Sequence, residues 1–228
     1  MYTLLNFIVK TFFPGLYLTY IRYLNGPAGN NLRYKYYKKR FKHLGKNVII
    51  NTGVFIEGAE YISIDDNTHI DKNCILIASP PDLDLSHRVL VEYPNEDFNK
   101  KRGSITIGKE CHISQNVMIY GYGGVDIGDY SVFAADTKIY SLTSIHFNPF
   151  DRKEIISPMP FSGKSPTFMG PVVMGSYTWL GVGCIVQPCV SIGKYTFVKS
   201  YSIISKSLEE NVIASGNPAI SERKRFKL

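Results

Sequence analysis

Large apolar residues recur every six positions along most of this chain. An amphipathic helix repeats its apolar residues at intervals of three and four, and a half-buried strand at intervals of two, so a period of six fits neither alone. Short repeats of fixed period are typical of solenoids, in which stacked units bury one continuous core. The repeated positions are Leu44, Ile50, Ile56, Ile64, Ile70, Leu76, Ile107, Ile113, Ile119, Ile127, Phe133, Ile139, Met174, Leu180, Val186, Ile192, Val198 and Ile204.

Smaller residues complete the repeat. Pairs such as Gly45-Lys46 and Gly193-Lys194, which favour tight turns, separate the apolar positions. The pattern therefore predicts an all-β solenoid whose coils contain three short strands each, with large and small side chains alternating inward. Four residues after most large positions comes a small or β-branched one: Val48, Val54, Thr68, Cys74, Cys111, Val117, Ser131, Thr137, Thr178, Cys184, Val190, Thr196 and Ser202.

The repeat resembles that of the hexapeptide-repeat transferases, whose motif is aliphatic, small or acidic, any two, small, any. The resemblance implies a left-handed parallel β-helix of about six coils over residues 44–208, an exception to the right-handed rule for parallel strands. It implies an N-terminal helical arm at 1–43 and a short tail at 209–228. Two long excursions are expected to leave the coils at 82–103 and 145–171.

The cysteine and histidine positions argue against disulfides and metal sites. Cys74, Cys111 and Cys184 fall on the small inward position, which predicts reduced thiols in the core. The chain contains no C-x-x-C or H-x-x-x-H motif and its five histidines are scattered, so the sequence predicts no metal site. We expect His69 and His112 to be ordinary exposed residues of the coils.

The basic charge is concentrated at the N-terminal end. Residues 1–46 contain nine Lys and Arg and no acidic residue, whereas the whole chain has a net charge of +7. Residues 1–24 are apolar, but Lys10 and the Pro14-Gly15 pair interrupt them, so we expect neither a membrane-spanning helix nor a signal peptide.

Three interpretations of residues 33–42, where basic and aromatic residues alternate, stay open. The segment can belong to a helical cap, which the open end of a solenoid requires. It can lie on an anionic membrane surface, where each basic residue contributes on the order of 1 kcal/mol. It can bind nucleic acid, but it is not part of a recognisable nucleic-acid-binding motif, so we expect no nucleic-acid partner. The expected location is the cytoplasm, with peripheral contact on the inner face of its membrane as one option.

The longest interruption of the repeat carries the residues that predict chemistry. It opens with TSIHFNPFD at 143–151 and closes with PVVMGSYTWLGVG at 171–183. This layout resembles the sugar and xenobiotic O-acetyltransferase branch of the family, in which a His leads a loop between coils. The resemblance implies that His146 is the general base for the acceptor hydroxyl, a role that suits a group with an unperturbed pKa of about 6.5. Asp151 and Glu154 are the alternative candidates to orient it.

The resemblance also implies residues for the two substrates. Trp179 corresponds to a Trp that lies against the acyl-donor site, and Asn116 aligns with an Asn that contacts the acceptor. Gly181 and Gly183 would let the backbone approach the pantetheine arm of coenzyme A closely.

The C-terminal segment VIASGNPA at 212–219 matches the family's A-G-N-P-A segment, which lies near the adenine end of coenzyme A. The match assigns Asn217, Pro218 and Ala219 to the donor site. Lys206, which stands where the family has the lysine of a Thr-Lys-Asp segment, and Lys199 are further candidates for that site.

Taken together, the resemblance implies an acetyl-CoA-dependent O-acetyltransferase that acts on a sugar, in bacterial surface polysaccharide biosynthesis. It implies a homotrimer with active sites at the subunit interfaces. An amino sugar, a serine or an antibiotic is an alternative acceptor. A γ-type carbonic anhydrase and a non-enzymatic scaffold are the alternatives from other classes.

Overall fold

The computed structural model describes residues 13–86, 88–145 and 165–227. Its helices are α1 (Pro14–Tyr23) and α2 (Gly26–Tyr37), and a 3₁₀ turn spans Ala59–Tyr61. In chain order the strands are β1 (His43–Leu44), β2 (Ile49–Ile50), β3 (Phe55–Glu57), β4 (Ile62–Ile64), β5 (His69–Ile70), β6 (Ile75–Ile77), β7 (Arg88–Glu92), β8 (Ile105–Ile107), β9 (His112–Ile113), β10 (Met118–Tyr120), β11 (Val125–Ile127), β12 (Val132–Phe133), β13 (Lys138–Tyr140), β14 (Leu142–Ser144), β15 (Ser165–Met169), β16 (Val172–Met174), β17 (Trp179–Leu180), β18 (Ile185–Val186), β19 (Ser191–Ile192), β20 (Phe197–Val198), β21 (Ile203–Ile204), β22 (Val212–Gly216) and β23 (Ala219–Lys224).

Three parallel sheets enclose the core. Sheet 1 has the order β1-β4-β8-β11-β16-β19, sheet 2 the order β2-β5-β9-β12-β17-β20-β22-β23, and sheet 3 the order β3-β6-β10-β13-β18-β21. Every large residue of the six-residue repeat lies in one of these strands and is buried. The predicted left-handed parallel β-helix of six coils with a helical arm is therefore confirmed.

Tight corners between the strands explain the residues that separate the large ones. Asn47, Asn67 and Asn116 occupy corners with φ of 55°, 59° and 59°, a conformation that Asn tolerates better than most residues. Adjacent coils also approach closely there, since a Cβ added to Gly175 would lie 2.5 Å from the backbone nitrogen of Lys194. Corner geometry thus constrains the repeat in addition to the core.

The small inward residues contribute polar atoms that bridge the coils. Thr68 Oγ1 donates to the carbonyl of Gly108 in the next coil at 2.8 Å, so this buried hydroxyl is satisfied. The predicted core thiols are confirmed, because Cys74, Cys111 and Cys184 are buried and free. Burial raises the pKa of Cys74 to about 12 and that of Cys111 to about 11.

Arg33 fixes the helical arm to the end of the solenoid. Its side chain is 1% exposed, and Nε donates to the carbonyl of Ile50 at 2.7 Å. Nη1 donates to the carbonyls of Ile21 and Leu24 at 2.6 and 2.7 Å. Nη2 donates to Asn30 Oδ1 at 2.5 Å. One guanidinium therefore joins both helices to the first coil.

The arm covers the solenoid end, as one interpretation of the basic segment predicted. Tyr37 and Phe41 belong to the same buried cluster as Leu44, and their rings stack 5.2 Å apart. Within residues 13–86, 88–145 and 165–227, no helix has the length and apolar character needed to cross a membrane. Contact of the arm with a membrane surface stays a prediction.

The two long excursions join each other in a small sheet, which the sequence did not predict. β7 of the first excursion pairs in parallel with β15 of the second, and β15 pairs antiparallel with β14. The first excursion also packs on sheet 1, where Asn95 Nδ2 donates to Ser191 Oγ at 2.9 Å and Ser191 Oγ donates to Asp97 Oδ2 at 2.5 Å. This highly charged loop is therefore held by its own chain.

The C-terminal end forms a partial seventh coil, which the repeat also did not predict. Leu208 bridges to Ile192, and β22 continues sheet 2 beside β20. The chain then reverses into β23, which pairs antiparallel with β22. The segment expected to lie near coenzyme A is thus a hairpin on the edge of sheet 2.

Candidate functional site

The outer face of sheet 2 presents one row of side chains. Adjacent strands are about 4.8 Å apart, and Trp179 lies two strands from His112. The backbones of these two residues are therefore about 10 Å apart. A histidine pair and an aromatic group therefore share one surface. The members of the row, in register from coil to coil, are Ile49, His69, His112, Val132, Trp179 and Phe197.

Trp179 lines an aromatic cleft of about 380 Å³. Its side chain is 45% exposed, and its ring lies 4.9 Å from that of Phe197. Tyr130, Tyr177 and Tyr195 stack along the neighbouring corner, with successive ring centroids 4.8 and 5.2 Å apart. Concave, mostly apolar sites of this kind bind small molecules.

The C-terminal tail closes one side of this cleft. Arg225 Nη1 donates to the carbonyls of Tyr177 and Tyr195 at 3.0 and 3.2 Å, and partial burial lowers the pKa of Arg225. Phe226 adds a further aromatic ring to the lining. Sequence reasoning missed the tyrosines, although Tyr177 and Tyr195 occupy equivalent corners of successive coils, a spacing that was visible in the sequence.

Gly181 and Gly183, predicted for the donor site, lie at the corner after Trp179. A Cβ on Gly181 would lie 2.5 Å from the backbone nitrogen of Ser200, and Gly183 has a φ of 66° with the Tyr201 ring 2.8 Å from its would-be Cβ. Both glycines are therefore required by the stacking of the coils. Their contact with an acyl donor stays a prediction.

Asn217 and Pro218 occupy the turn of the C-terminal hairpin, and the peptide bond between them is cis. Ala219, at the start of β23, is buried. Lys199 Nζ lies 2.6 Å from Glu222 Oε2, and this interaction is the main cause of the lowered pKa of Glu222. The hairpin adjoins Phe197 and so lies next to the aromatic cleft.

Three predicted site residues lie outside the described residues: His146, Asp151 and Glu154. The structure does show that β14 and β15, which flank their segment, pair with each other. Asn116 lies at an exposed corner, where its Nδ2 donates to Asp136 Oδ1 at 3.2 Å. Lys206 is exposed after β21, away from the row on sheet 2.

Sheet 2 also assembles a polar cluster that the sequence did not predict. His112 Nε2 lies 3.0 Å from Asp71 Oδ2, and His69 Nε2 lies 3.4 Å from Asp71 Oδ1. Asn51 Nδ2 lies 2.7 Å from His69 Nε2 and donates to Asp71 Oδ1 at 3.1 Å. The two histidines are partly exposed, as expected, but they share one carboxylate partner. Each histidine directly precedes a large residue of the repeat, so the two occupy the same position in successive coils and lie one over the other.

Comparisons with known proteins give relatives of one kind. The chain is 27% identical over 187 residues to a dTDP-4-amino-4,6-dideoxy-D-glucose acyltransferase of Escherichia coli, a match that covers 81% of this chain and 84% of that protein. It is 31% identical over 123 residues to the colanic acid biosynthesis acetyltransferase WcaF of Escherichia coli K12, over 54% of this chain and 60% of WcaF. No family model matches the chain.

Solved structures agree with these relatives. A variant of AntD, an N-acyltransferase from Bacillus cereus with dTDP and coenzyme A bound, has a TM-score of 0.65 at 25% identity, over 85% of this chain and 89% of AntD. A maltose O-acetyltransferase from Clostridium difficile 630 has a TM-score of 0.56 at 16% identity, over 92% and 83% of the two chains, and shows the common fold.

Proposed function

Because the chain is a hexapeptide-repeat acyltransferase with a left-handed β-helix, we propose that it transfers an acetyl group from acetyl-CoA to a hydroxyl group of a sugar. The relatives are acyltransferases, among them one named for a dTDP-amino sugar and one for galactosides, and AntD binds coenzyme A. Enzymatic relatives leave no support for a non-enzymatic scaffold. Acetyl as the acyl group and a hydroxyl as the acceptor are the parts that we propose.

The observation that carries the proposal is the open aromatic cleft around Trp179. Its exposed rings fit the apolar stretches of a pantetheine arm. The carbonyls of Tyr177 and Tyr195 beside the cleft already accept hydrogen bonds from Arg225, so they do not need a partner from the donor. The hairpin that carries Asn217 and Pro218 adjoins the same face, which suits the adenine end of the donor. Lys199, which pairs with Glu222 of this hairpin, and Ala219 stay in the proposed donor site. Lys206 stays a proposed donor contact, although it lies away from the row on sheet 2.

His146 is the proposed general base. A sugar hydroxyl must lose its proton as its oxygen attacks the thioester carbonyl, and a neutral imidazole can accept that proton and return it to the leaving thiolate. β14 and β15, which flank the segment that contains His146, pair with each other. Asp151 is the proposed group that orients the imidazole, and Asn116 the proposed acceptor contact.

A second candidate acceptor is the amino group of a nucleotide-linked sugar. The relatives that align with most of the chain, the dTDP-amino-sugar acyltransferase and AntD, transfer acyl groups to such sugars or to nitrogen. WcaF aligns with only 54% of the chain. A neutral amine is a much stronger nucleophile than a hydroxyl and attacks the thioester before it loses a proton, so this reaction depends less on a base.

A thiol-release assay separates the two. Acetyl-CoA is supplied with surface oligosaccharides, with dTDP-4-amino-4,6-dideoxyglucose and with its 4-hydroxy counterpart. We expect transfer to a hydroxyl acceptor and a loss of about 10²- to 10⁴-fold in turnover for His146→Ala. The control His43→Ala, an exposed histidine 3.7 Å from Asp65, should leave turnover unchanged. Transfer to the amino sugar alone, with little effect of His146→Ala, would establish the second candidate instead.

We also propose the setting of the reaction. The chain acts as a homotrimer in the cytoplasm, with an acceptor that belongs to a surface polysaccharide or its precursor. Peripheral contact of the N-terminal arm with the inner membrane face would suit a lipid-linked acceptor. WcaF, named for colanic acid biosynthesis, supports the polysaccharide part of this proposal.

A further inference from the structure

We propose that His69, Asp71 and His112 form a binding site for a divalent transition metal ion, with zinc as the best-fitting ion. The three residues lie on adjacent coils of sheet 2, and their ligand atoms all lie within 4.8 Å of one another. Imidazole nitrogen and carboxylate oxygen are common zinc ligands. The proposed acyl transfer uses none of the three, so the metal site does not depend on that function.

Two separations within the cluster, each to a different oxygen of Asp71, are close to the edges of a tetrahedral site. Ligand atoms about 2.0–2.2 Å from a tetrahedral ion lie about 3.3–3.6 Å from one another. The two histidine-to-carboxylate separations are 3.0 and 3.4 Å. The imidazole rings lie 5.4 Å apart with an interplanar angle of 31°, and both direct Nε2 at the carboxylate of Asp71. Small rotations of the side chains would therefore admit an ion between them.

Asn51 prepares His69 for this role. With the amide nitrogen of Asn51 facing His69 Nε2 at 2.7 Å, the contact is a hydrogen bond in the tautomer that has its lone pair on Nε2 and its proton on Nδ1. Neutral imidazole with a free Nε2 is the form that binds metal. Rotation of the amide by a half turn would bring Oδ1 to the same place, so Asn51 can also supply an oxygen ligand.

The site is rigid and open on one side. All four side chains stand on strands or strand ends of stacked coils, which keep them in place without a loop. The side chains of His69 and His112 are 40% and 45% exposed, whereas that of Asp71 is 22% exposed. An ion held by three protein groups would therefore keep a coordination position for water, as open zinc sites do.

Metal titration of the untagged full-length chain, stripped with a chelator, tests the site. Calorimetry with Zn²⁺ should show one ion bound per chain, and Co²⁺ should give the intense visible absorption of four-coordinate cobalt, which Zn²⁺ then removes. Loss of an outer-shell partner alone weakens metal binding about 10- to 100-fold, so His69→Gln and His112→Gln should each weaken it about 100-fold or more.

His43→Gln is the matched control, because His43 is exposed and lies 3.7 Å from the carboxylate of Asp65 without a second histidine in that pair. It should bind Zn²⁺ like the wild type, and circular dichroism should show that every variant is folded. Asn51→Asp adds a carboxylate to the cluster and should tighten binding. Absence of saturable Zn²⁺ binding would overturn the proposal. So would stoichiometric binding that survives both histidine substitutions, because the ion would then lie elsewhere.

Discussion

Arg33 illustrates how a single residue can be misread from its neighbours in the sequence. It belongs to a basic and aromatic segment that resembles a surface patch, yet it is among the most deeply buried side chains described. Burial lowers the pKa of its guanidinium, and backbone carbonyls, rather than a carboxylate, accept most of its hydrogen bonds in the described part of the chain. Its role is to donate hydrogen bonds to carbonyl groups at the end of α1 and in the first coil.

Arg33→Met should therefore destabilise the protein strongly. It removes the donors to the carbonyls of Ile21, Leu24 and Ile50, and buried groups left without partners cost about 1–3 kcal/mol each. We expect the free energy of unfolding in urea to fall by about 3–5 kcal/mol. Arg40→Met is the control, since Arg40 is exposed and stacks on Tyr36, and it should cost less than about 1 kcal/mol. Equal effects of the two substitutions would contradict this account.

The buried thiols make stability depend on pH in the alkaline range. The pKa of Cys74 is raised to about 12 by burial, whereas an unfolded thiol has a pKa of about 8.5. The unfolded state therefore loses its proton first. The stabilisation is complete below about pH 8.5 and is lost as the pH rises from there towards the folded pKa.

Cys74→Ala tests this dependence. The cavity that it leaves costs the same at every pH, but the variant has one titrating thiol fewer. Between pH 7.5 and pH 10 the wild type should lose about 2 kcal/mol more unfolding free energy than Cys74→Ala. Urea denaturation at the two pH values measures the difference. Parallel losses in both proteins would show that this thiol does not titrate as the structure implies.

The histidine cluster shows that spacing along the sequence does not reveal every group of metal-ligating residues. A search for short metal-ligand spacings missed His69 and His112, because the first excursion lies between their coils in the sequence. Stacked coils bring such residues together regardless of the length of the insertion. The useful signal is the shared position within the six-residue unit, which both histidines have. Partners such as Asp71 and Asn51 can then be found at equivalent corners.

At the scale of elements, the first excursion is a separable unit. Ser79 N donates to the carbonyl of Gly103 at 3.0 Å, so the loop leaves and rejoins the coils at one place. Replacement of residues 80–102 by a short glycine linker should leave the solenoid folded, with a cooperative unfolding transition. It should also expose the edge of β15 that β7 covers.

Limited proteolysis tests that consequence. We expect the shortened chain to be cleaved faster between residues 142 and 169 than the wild type, because its small sheet has lost a strand. Ser191→Ala, which removes side-chain anchors of the loop but keeps β7, should be cleaved at an intermediate rate. A shortened chain that unfolds, or one cleaved at the wild-type rate, would show that the excursion is not such a unit.

The elements differ in how far the sequence predicts them. The coils can be predicted from the repeat, because each six-residue unit contains both a strand with its buried large residue, such as Ile70 or Leu180, and the corner next to it. The small sheet of β7, β14 and β15 could not be predicted, since its strands pair across two distant insertions. The C-terminal hairpin was recognised as a motif at Asn217 and Pro218, but its pairing depends on the exposed edge of sheet 2.

At the scale of the whole molecule, the proposed trimer predicts shared active sites. If His146 of one subunit acts with Asn116 of its neighbour, His146→Ala and Asn116→Ala trimers should each be nearly inactive. Unfolding and refolding an equal mixture should restore about a quarter of the wild-type activity, because that fraction of interfaces is intact in a cyclic trimer. Mixing the folded trimers is the control and should restore none. A refolded mixture no more active than its parents would place both residues within one subunit.

Arg33 and the C-terminal hairpin act at opposite ends of the solenoid. Parallel sheets in a solenoid would otherwise expose unpaired strands at both ends, and such edges invite end-to-end growth into fibres. The helices held by Arg33 obstruct one end. At the other, β23 runs against the direction of sheet 2, and its outer residues Glu222, Arg223 and Lys224 are exposed and charged. Coils of similar shape are thus kept from stacking onto those of another chain at either end.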